Sequence, residues 1–240
     1  KFFFSPVAHA RILDLNLEAA RNYPGVFAVL SAKDVPGENM IGHVIKDEPL
    51  FPESEIMYYH QPLAMILAED ETIAEAAARE VVLEYEELEA ILEIPDADAR
   101  QEWYIPERKI ERGDVHQALK NSPHVISGSS YSSGQEHFYM ESQRVRAIPF
   151  ENEQIHLLCA TQSTMEVQEV AAHVLGIPAN RIVVEVPRLG GAFGGKERAA
   201  TIWGCMAALA AYRTQRPVQI ILSRDEDMRA TGKRHPFLSN

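Results

Sequence analysis

RIVVEVPRLGGAFGGKERAATIWGCMAALAAYR, residues 181–213, decides the fold class. Arg181–Val186 is rich in β-branched residues and reads as a strand. Four glycines follow within positions 190–195, and an Ala-rich helix is expected from Glu197 to about Arg213. A strand, a glycine turn and a helix in succession bring free N–H groups and the positive end of a helix dipole to one point, which suits an anion. Two phosphate templates nevertheless fail. GxxxxGK[ST] fits Gly190 through Lys196 and then meets Glu197, where a hydroxyl is required and a carboxylate repels a triphosphate. GxGxxG fails because Ala192 or Phe193 occupies the second glycine position. Two readings remain: a backbone that approaches a planar ligand, with Phe193 against it and Glu197 accepting its N–H groups, or a tight turn with Glu197 as a first-turn acid.

Outward from this stretch, strands alternate with helices, which means α/β or α+β. Toward the C-terminus, Val218–Leu222 reads as a strand and Asp225–Thr231 as a short helix. Toward the N-terminus, Gln154–Ala160, His137–Ile148 and His124–Tyr131 read as strands. Ser163-x-x-Glu166 is a capping box, and the helix it opens stops at Gly176 with Pro178 behind it. Residues 96–112 form a polar connector between two domains, 1–95 and 113–240. In the first, Ala10–Leu17, Val26–Leu30, Leu63–Leu67, Val81–Glu86 and Ala90–Ile94 read as strands, and Thr72-x-x-Glu75 as a capping box before a helix. Glu136 and Glu141, five apart on an expected strand, point to opposite faces and are read as structural rather than as an acid–base pair.

Composition narrows the classes. With 46% hydrophobic and 24% charged residues the chain can bury a sizeable core. Net charge is −12, and residues 69–98 hold twelve acids against Arg79 alone, so a nucleic-acid surface is not expected. No apolar run reaches membrane-spanning length, which is about 18 residues. Cys159 and Cys205 lack ligand spacing for zinc or an iron–sulfur cluster, and a reducing, cytoplasmic setting is the default. The chain lacks an initiator Met and reads as trimmed at its start.

Several runs together resemble one family. RLGGAFGGKE is similar to the GGxFGGKE signature of the molybdenum hydroxylases, in the xanthine dehydrogenase/oxidase branch. GQEHFYME at 134–141 and RDEDM at 224–228 with TGKRHPF at 231–237 resemble further motifs of that branch. SPVAHARI at 5–12 and VLEYEEL at 82–88 resemble its N-terminal hammerhead-like domain. The resemblance implies a hammerhead-like α/β domain followed by the first part of a molybdopterin-binding α+β domain. It implies a molybdenum–molybdopterin cofactor, with Gln135 and Phe193 near the metal and Gln135, Gly191, Phe193 and Gly194 at the cofactor. Glu197 matches the carboxylate that binds a purine, where aldehyde-oxidising relatives carry an apolar residue; Ala192 departs from the more usual glycine. The activity implied is oxidation of hypoxanthine and xanthine to urate by water-derived hydroxylation with hydride transfer to a molybdenum sulfide. No catalytic residue is assigned in this chain: the general base, a substrate arginine and most pterin contacts are expected beyond residue 240. The 2Fe-2S clusters and FAD are expected on other domains or chains, in a dimeric assembly. The rivals are a hydroxylase of another N-heterocycle or an aldehyde, a non-catalytic fragment, and a nucleotide-binding protein.

Overall fold

The computed structural model describes residues 1–42 and 45–240. In chain order it holds β1 (Phe2–Phe4), β2 (Ala10–Asn16), α1 (Glu18–Arg21), β3 (Val26–Leu30), β4 (Glu55–Ile56), β5 (Pro62–Ala68), α2 (Glu71–Ala78) and β6 (Val82–Glu87). Next come α3 (Ile94–Arg100), α4 (Val115–Asn121), β7 (Ser130–Ser132), β8 (Arg144–Pro149), β9 (Ile155–Cys159), α5 (Thr164–Leu175) and β10 (Ile182–Glu185). The last are α6 (Ala199–Thr214), β11 (Val218–Ile221), α7 (Arg224–Ala230) and β12 (Phe237–Ser239). These form two compact units, residues 1–89 with 137–232 and residues 90–136 with 233–240. The architecture is the mixed α/β expected from the alternation of strands and helices.

The first unit is built around α6. Every residue from Ala200 to Ala211 is buried, as a helix apolar on all sides must be. A four-stranded sheet in the order β10-β9-β8-β11 lies against it. β9 and β10 run parallel with α5 as the crossover, so residues 155–185 are a βαβ unit. Val145, Ala147, Leu157 and Cys159 pack inward with Val167, Val170 and Val174 of α5. Alternation along β8 sends Arg144 and Arg146 to the other face. Two three-stranded sheets, β1-β5-β3 and β4-β2-β6, complete the unit. Phe2, Leu30, Leu50, Phe51 and Met65 join the core around α6.

Helices α5 and α6 approach closely at Gly204, where a Cβ would lie 2.6 Å from Val167 Cγ1. Gly176 ends α5 in the left-handed conformation at φ 65°. The N–H groups of Gly37 and Glu38 then donate to the Val174 and His173 carbonyls. A distant loop thus satisfies the end of the helix.

The second unit is smaller. It pairs β7 with β12 and bridges Gln135 to Arg234. The expected connector at 96–112 contains most of α3.

Several local expectations change. Asp70, not Thr72, caps α2, accepting the Ile73 N–H at 2.9 Å. Asp is the stronger cap, and it sits two residues earlier. Ser163 makes no side-chain cap; its own N–H donates to Thr161 Oγ1 at 3.0 Å. A real capping box occurs instead between Ser223 and Glu226 at α7. Ala90–Ile94 is not a strand, and the expected strands at 124–131 and 137–148 shrink to β7 and β8. α6 begins at Ala199, two residues after Glu197.

Replacing Gly204 with Val forces a branched side chain into Val167, which is fully buried. The variant is expected to lose about 2–3 kcal/mol of folding stability in urea denaturation. An unchanged midpoint would show that α5 and α6 are not locked here.

Candidate functional site

The glycine turn is held from behind by residues of three separate segments, 139–143, 161–162 and 224–227. Lys196 does not face outward as a phosphate lysine does. Its side chain is fully buried, its Nζ lies 3.1 Å from Glu141 Oε2, and it sits 4.6 Å from the centre of the Tyr139 ring. Glu141 Oε2 also accepts the Gly190 N–H at 3.0 Å. A Cβ at Gly190 would stand 2.6 Å from Glu141 Cβ, so that position admits no side chain. Gln162 Oε1 accepts the N–H groups of Gly194 and Lys196 at 3.1 and 3.2 Å. Thr161 Oγ1 and the Gln162 N–H both donate to the Lys196 carbonyl.

A buried polar chain continues behind the turn. Gln143 Nε2 donates to the Gly195 carbonyl at 3.0 Å and to the Tyr139 hydroxyl at 2.9 Å. The Tyr139 hydroxyl in turn donates to Asp227 Oδ1 at 2.7 Å. Asp227 Oδ2 accepts the Gln143 N–H at 2.8 Å. Arg224 closes the arrangement by donating to the Tyr139 and Met140 carbonyls, both at 2.8 Å. Tyr139, Glu141 and Gln143 are committed to these contacts, and residues 137–143 form no strand.

Electrostatics follow the geometry. Burial pushes the Glu141 carboxyl upward, but the Gly190 N–H and Lys196 outweigh it and hold it below the usual carboxylate range. Burial pulls the Lys196 ammonium down against the upward push of Glu141. Burial and Asp227 raise the Tyr139 phenol well above its ordinary value, leaving it a hydrogen-bond donor. Burial pushes the Cys159 thiol up to about 12, so it is inert as a thiolate.

The outer side of the turn differs. Gly191, Phe193 and Gly194 have φ of 92°, 54° and 88°. Such a conformation costs a Phe about 1 kcal/mol or more. Phe193 is 77% exposed, and nothing lies within 4 Å of where a Gly194 Cβ would be. Phe138 and Met140 are exposed as well. Ala192 avoids positive φ and buries its methyl group, so the departure from glycine is accommodated. Glu197 is exposed, outside α6, and forms no hydrogen bond or ion pair among the described residues. It is therefore not a first-turn acid.

This geometry removes the nucleotide reading. The N–H groups of Gly190, Gly194, Gly195 and Lys196 are all consumed within the protein. It fits a flat cofactor lying on bare main chain, because the open face at Gly194 and the exposed Phe193 ring supply a surface without a clashing Cβ. Among the described residues no group of three His, Cys, Asp or Glu side chains converges as a metal site. Of the residues singled out from the sequence, Gly191, Phe193, Gly194 and Glu197 share this turn. Gln135 lies in the second unit, exposed and paired through its main chain with Arg234. Glu136 there pairs with Lys233 at 2.7 Å. Neither it nor Glu141 lies on a strand, and each is tied to a lysine. Sequence reasoning missed Tyr139, Gln143, Gln162 and Asp227, whose signal was polar residues inside or just after the run 134–141, inside 224–228, or beside the expected cap at Ser163.

Residues 97–240 match the family model of a molybdopterin cofactor-binding domain. Residues 1–89 match the a/b hammerhead domain of aldehyde oxidase and xanthine dehydrogenase. The chain belongs to the molybdenum hydroxylase family, in its xanthine dehydrogenase/oxidase branch. It is 43% identical to a xanthine dehydrogenase/oxidase of Mus musculus over 97% of its length and 40% identical to a xanthine dehydrogenase of Dictyostelium discoideum over 97%. It spans only 17% of either relative. Among solved structures, aldehyde oxidoreductase from Desulfovibrio desulfuricans superposes with TM-score 0.87 at 25% identity, covering 99% of this chain and 28% of that one. Quinoline 2-oxidoreductase from Pseudomonas putida 86 gives 0.79 at 26%, covering 95% and 31%.

Replacing Lys196 with Met removes the buried cation of the Glu141 carboxylate and leaves it only Arg144, at 3.5 Å. Removing one partner of a buried pair costs about 3–5 kcal/mol, and the partial exposure of Glu141 places the expected loss near the lower end. The depressed Glu141 contributes stability above the ordinary carboxylate value of 4.5, and that contribution fades as pH falls through its lower folded value. Glu141→Gln should therefore flatten the acid limb of the stability–pH curve. An equally steep limb in the variant would show that Glu141 carries no part of it.

Proposed function

We propose that this chain is part of a molybdenum-dependent hydroxylase that oxidises purines, hypoxanthine and xanthine, to urate. The observation that carries this reading is Glu197: an exposed carboxylate with no partner among the described residues, on the same turn as the bare face at Phe193 and Gly194. A purine offers ring N–H groups to such an acceptor, and a charge-assisted hydrogen bond of about 1.5–3 kcal/mol selects it over an aldehyde, which has none to give. Bound molybdopterin supplies the two-electron oxidation, in which oxygen from water enters the ring and hydride leaves.

The chain's own residues position and select. Gly191 and Gly194 let main chain lie against the cofactor, Phe193 presents its ring to it, and Gln135 offers an amide that donates without changing charge. Glu197 orients the purine and steadies the charge that builds on its ring during attack. The inner network keeps the turn rigid while this happens, and rigidity is what electrostatic positioning requires. In this reading residues 1–95 form a hammerhead-like domain, 96–112 a connector, and 113–240 the opening segment of the cofactor domain. The general base, the 2Fe-2S clusters, FAD and the rest of the molybdenum part are supplied by other segments or chains of a dimeric, cytoplasmic assembly.

Glu197→Val in the assembled enzyme tests the substrate assignment. Turnover of xanthine, as kcat/KM, is expected to fall about tenfold to a hundredfold while molybdenum content, by elemental analysis, stays unchanged. Aldehyde turnover should hold or rise. Undiminished purine turnover would falsify the role of Glu197 and favour an aldehyde or another heterocycle as substrate.

A further inference from the structure

The sheet face opposite α6 carries a second feature, beside the glycine turn. A cavity of about 300 Å³ is bordered by Arg144 and Arg146 of β8, Arg188 of the segment after β10, Leu158 of β9 and Gln219 of β11, with Glu141 also on its lining. Sheet register explains the grouping. Arg144 and Arg146 alternate to one face of β8, and Arg146 is opposite both Leu158 and Gln219 on the flanking strands. Arg188 reaches the same rim from outside the sheet.

The charges there are unbalanced. The side chains of Arg146 and Arg188 form no hydrogen bond or ion pair among the described residues. Arg144 has one carboxylate neighbour, Glu141, at 3.5 Å, and Glu141 is already engaged by Lys196 and the Gly190 N–H. Glu185, on the strand beside Leu158, is tied to His156 Nε2 at 3.1 Å. Three guanidinium groups therefore share one rim in a chain whose net charge is −12. Guanidinium groups cannot shed their charge, so such a cluster favours an anion, and their planar forks match the oxygens of a phosphate.

We propose that this cavity is a binding site for a dianionic phosphate, free or at the end of a small phosphate monoester. Arg146 and Arg188 clamp its oxygens, Gln219 offers an amide donor, and Leu158 supplies an apolar wall for the remainder of a monoester. Arg144 is shared between the anion and the carboxylate that holds the glycine turn. The proposal does not rest on the purine reading, and its test needs no turnover.

The test is calorimetric titration of the purified, intact protein with inorganic phosphate and with adenosine 5′-monophosphate, at ionic strength held constant with chloride. Saturable binding of at least one is expected, and the tighter of the two names the source. Arg146→Gln with Arg188→Gln should raise its Kd about tenfold or more, the factor that a lost charge-assisted hydrogen bond supplies. Arg146→Lys, which keeps the charge and loses the fork, should fall between. Both arginines are exposed, so unchanged circular dichroism and melting in the absence of ligand are expected of each variant. Heat no greater than that of chloride alone, equal affinity in the double variant, or binding of hexaglutamate in place of either phosphate would overturn the site.

Discussion

A turn that offers a bare face to a ligand must be held from the other side, and in this protein the buried contact between Lys196 and Glu141 does most of the holding. The ammonium is fully out of solvent, so it requires an anion within reach. Glu141 is that anion, and its second task is to accept the Gly190 N–H. One carboxylate thus fixes both the start and the end of the glycine stretch. The Gln143–Tyr139–Asp227 chain and Gln162 then lock what lies between. Every side chain in this set donates to or accepts from main chain or another member, as a buried polar network requires if it is to rigidify rather than destabilise.

The same dependence explains which parts of the fold were readable in sequence. Half-buried strands show their alternation and β5 and α6 an unbroken apolar run, so β2, β3, β5, β9, β10, β11 and α6 fall within two residues of expectation. Residues 137–143 mislead because His137, Phe138, Tyr139 and Met140 look like strand residues. Their backbone instead turns, with Phe138 at φ 49°, to deliver Tyr139, Glu141 and Gln143 to the glycine turn. Pairings between residues 49 to 88 positions apart, such as those of Glu141 and Asp227, leave no periodic mark. The Ser163 box fails for a related reason: Thr161 and Gln162, just ahead of it, are committed to Lys196, and that commitment sets how the chain enters α5.

The candidate site was legible to a different degree. Glycines and a lysine before a helix describe a phosphate loop and this turn equally well. The physical difference is direction. In a phosphate loop the N–H groups and the ammonium converge on the ligand. Here both point inward, because an amide and a carboxylate from elsewhere in the chain meet them first. The glycine count alone therefore carries no information about charge on the ligand; the buried acceptors Glu141 and Gln162 do.

Glu197 makes sense within that inversion. Were the turn to present N–H donors outward, an adjacent carboxylate would compete for them and neutralise the site. With the donors turned inward and their charge already answered, the outer face is left nearly neutral main chain and an aromatic ring. Because α6 starts only at Ala199, the carboxylate is also not spent on the helix dipole. A negative acceptor beside a flat, apolar surface is suited to a planar, uncharged molecule with N–H groups at its edge. The residue that argues against a triphosphate in the sequence is thus compatible, in three dimensions, with the outer face on which the purine proposal rests.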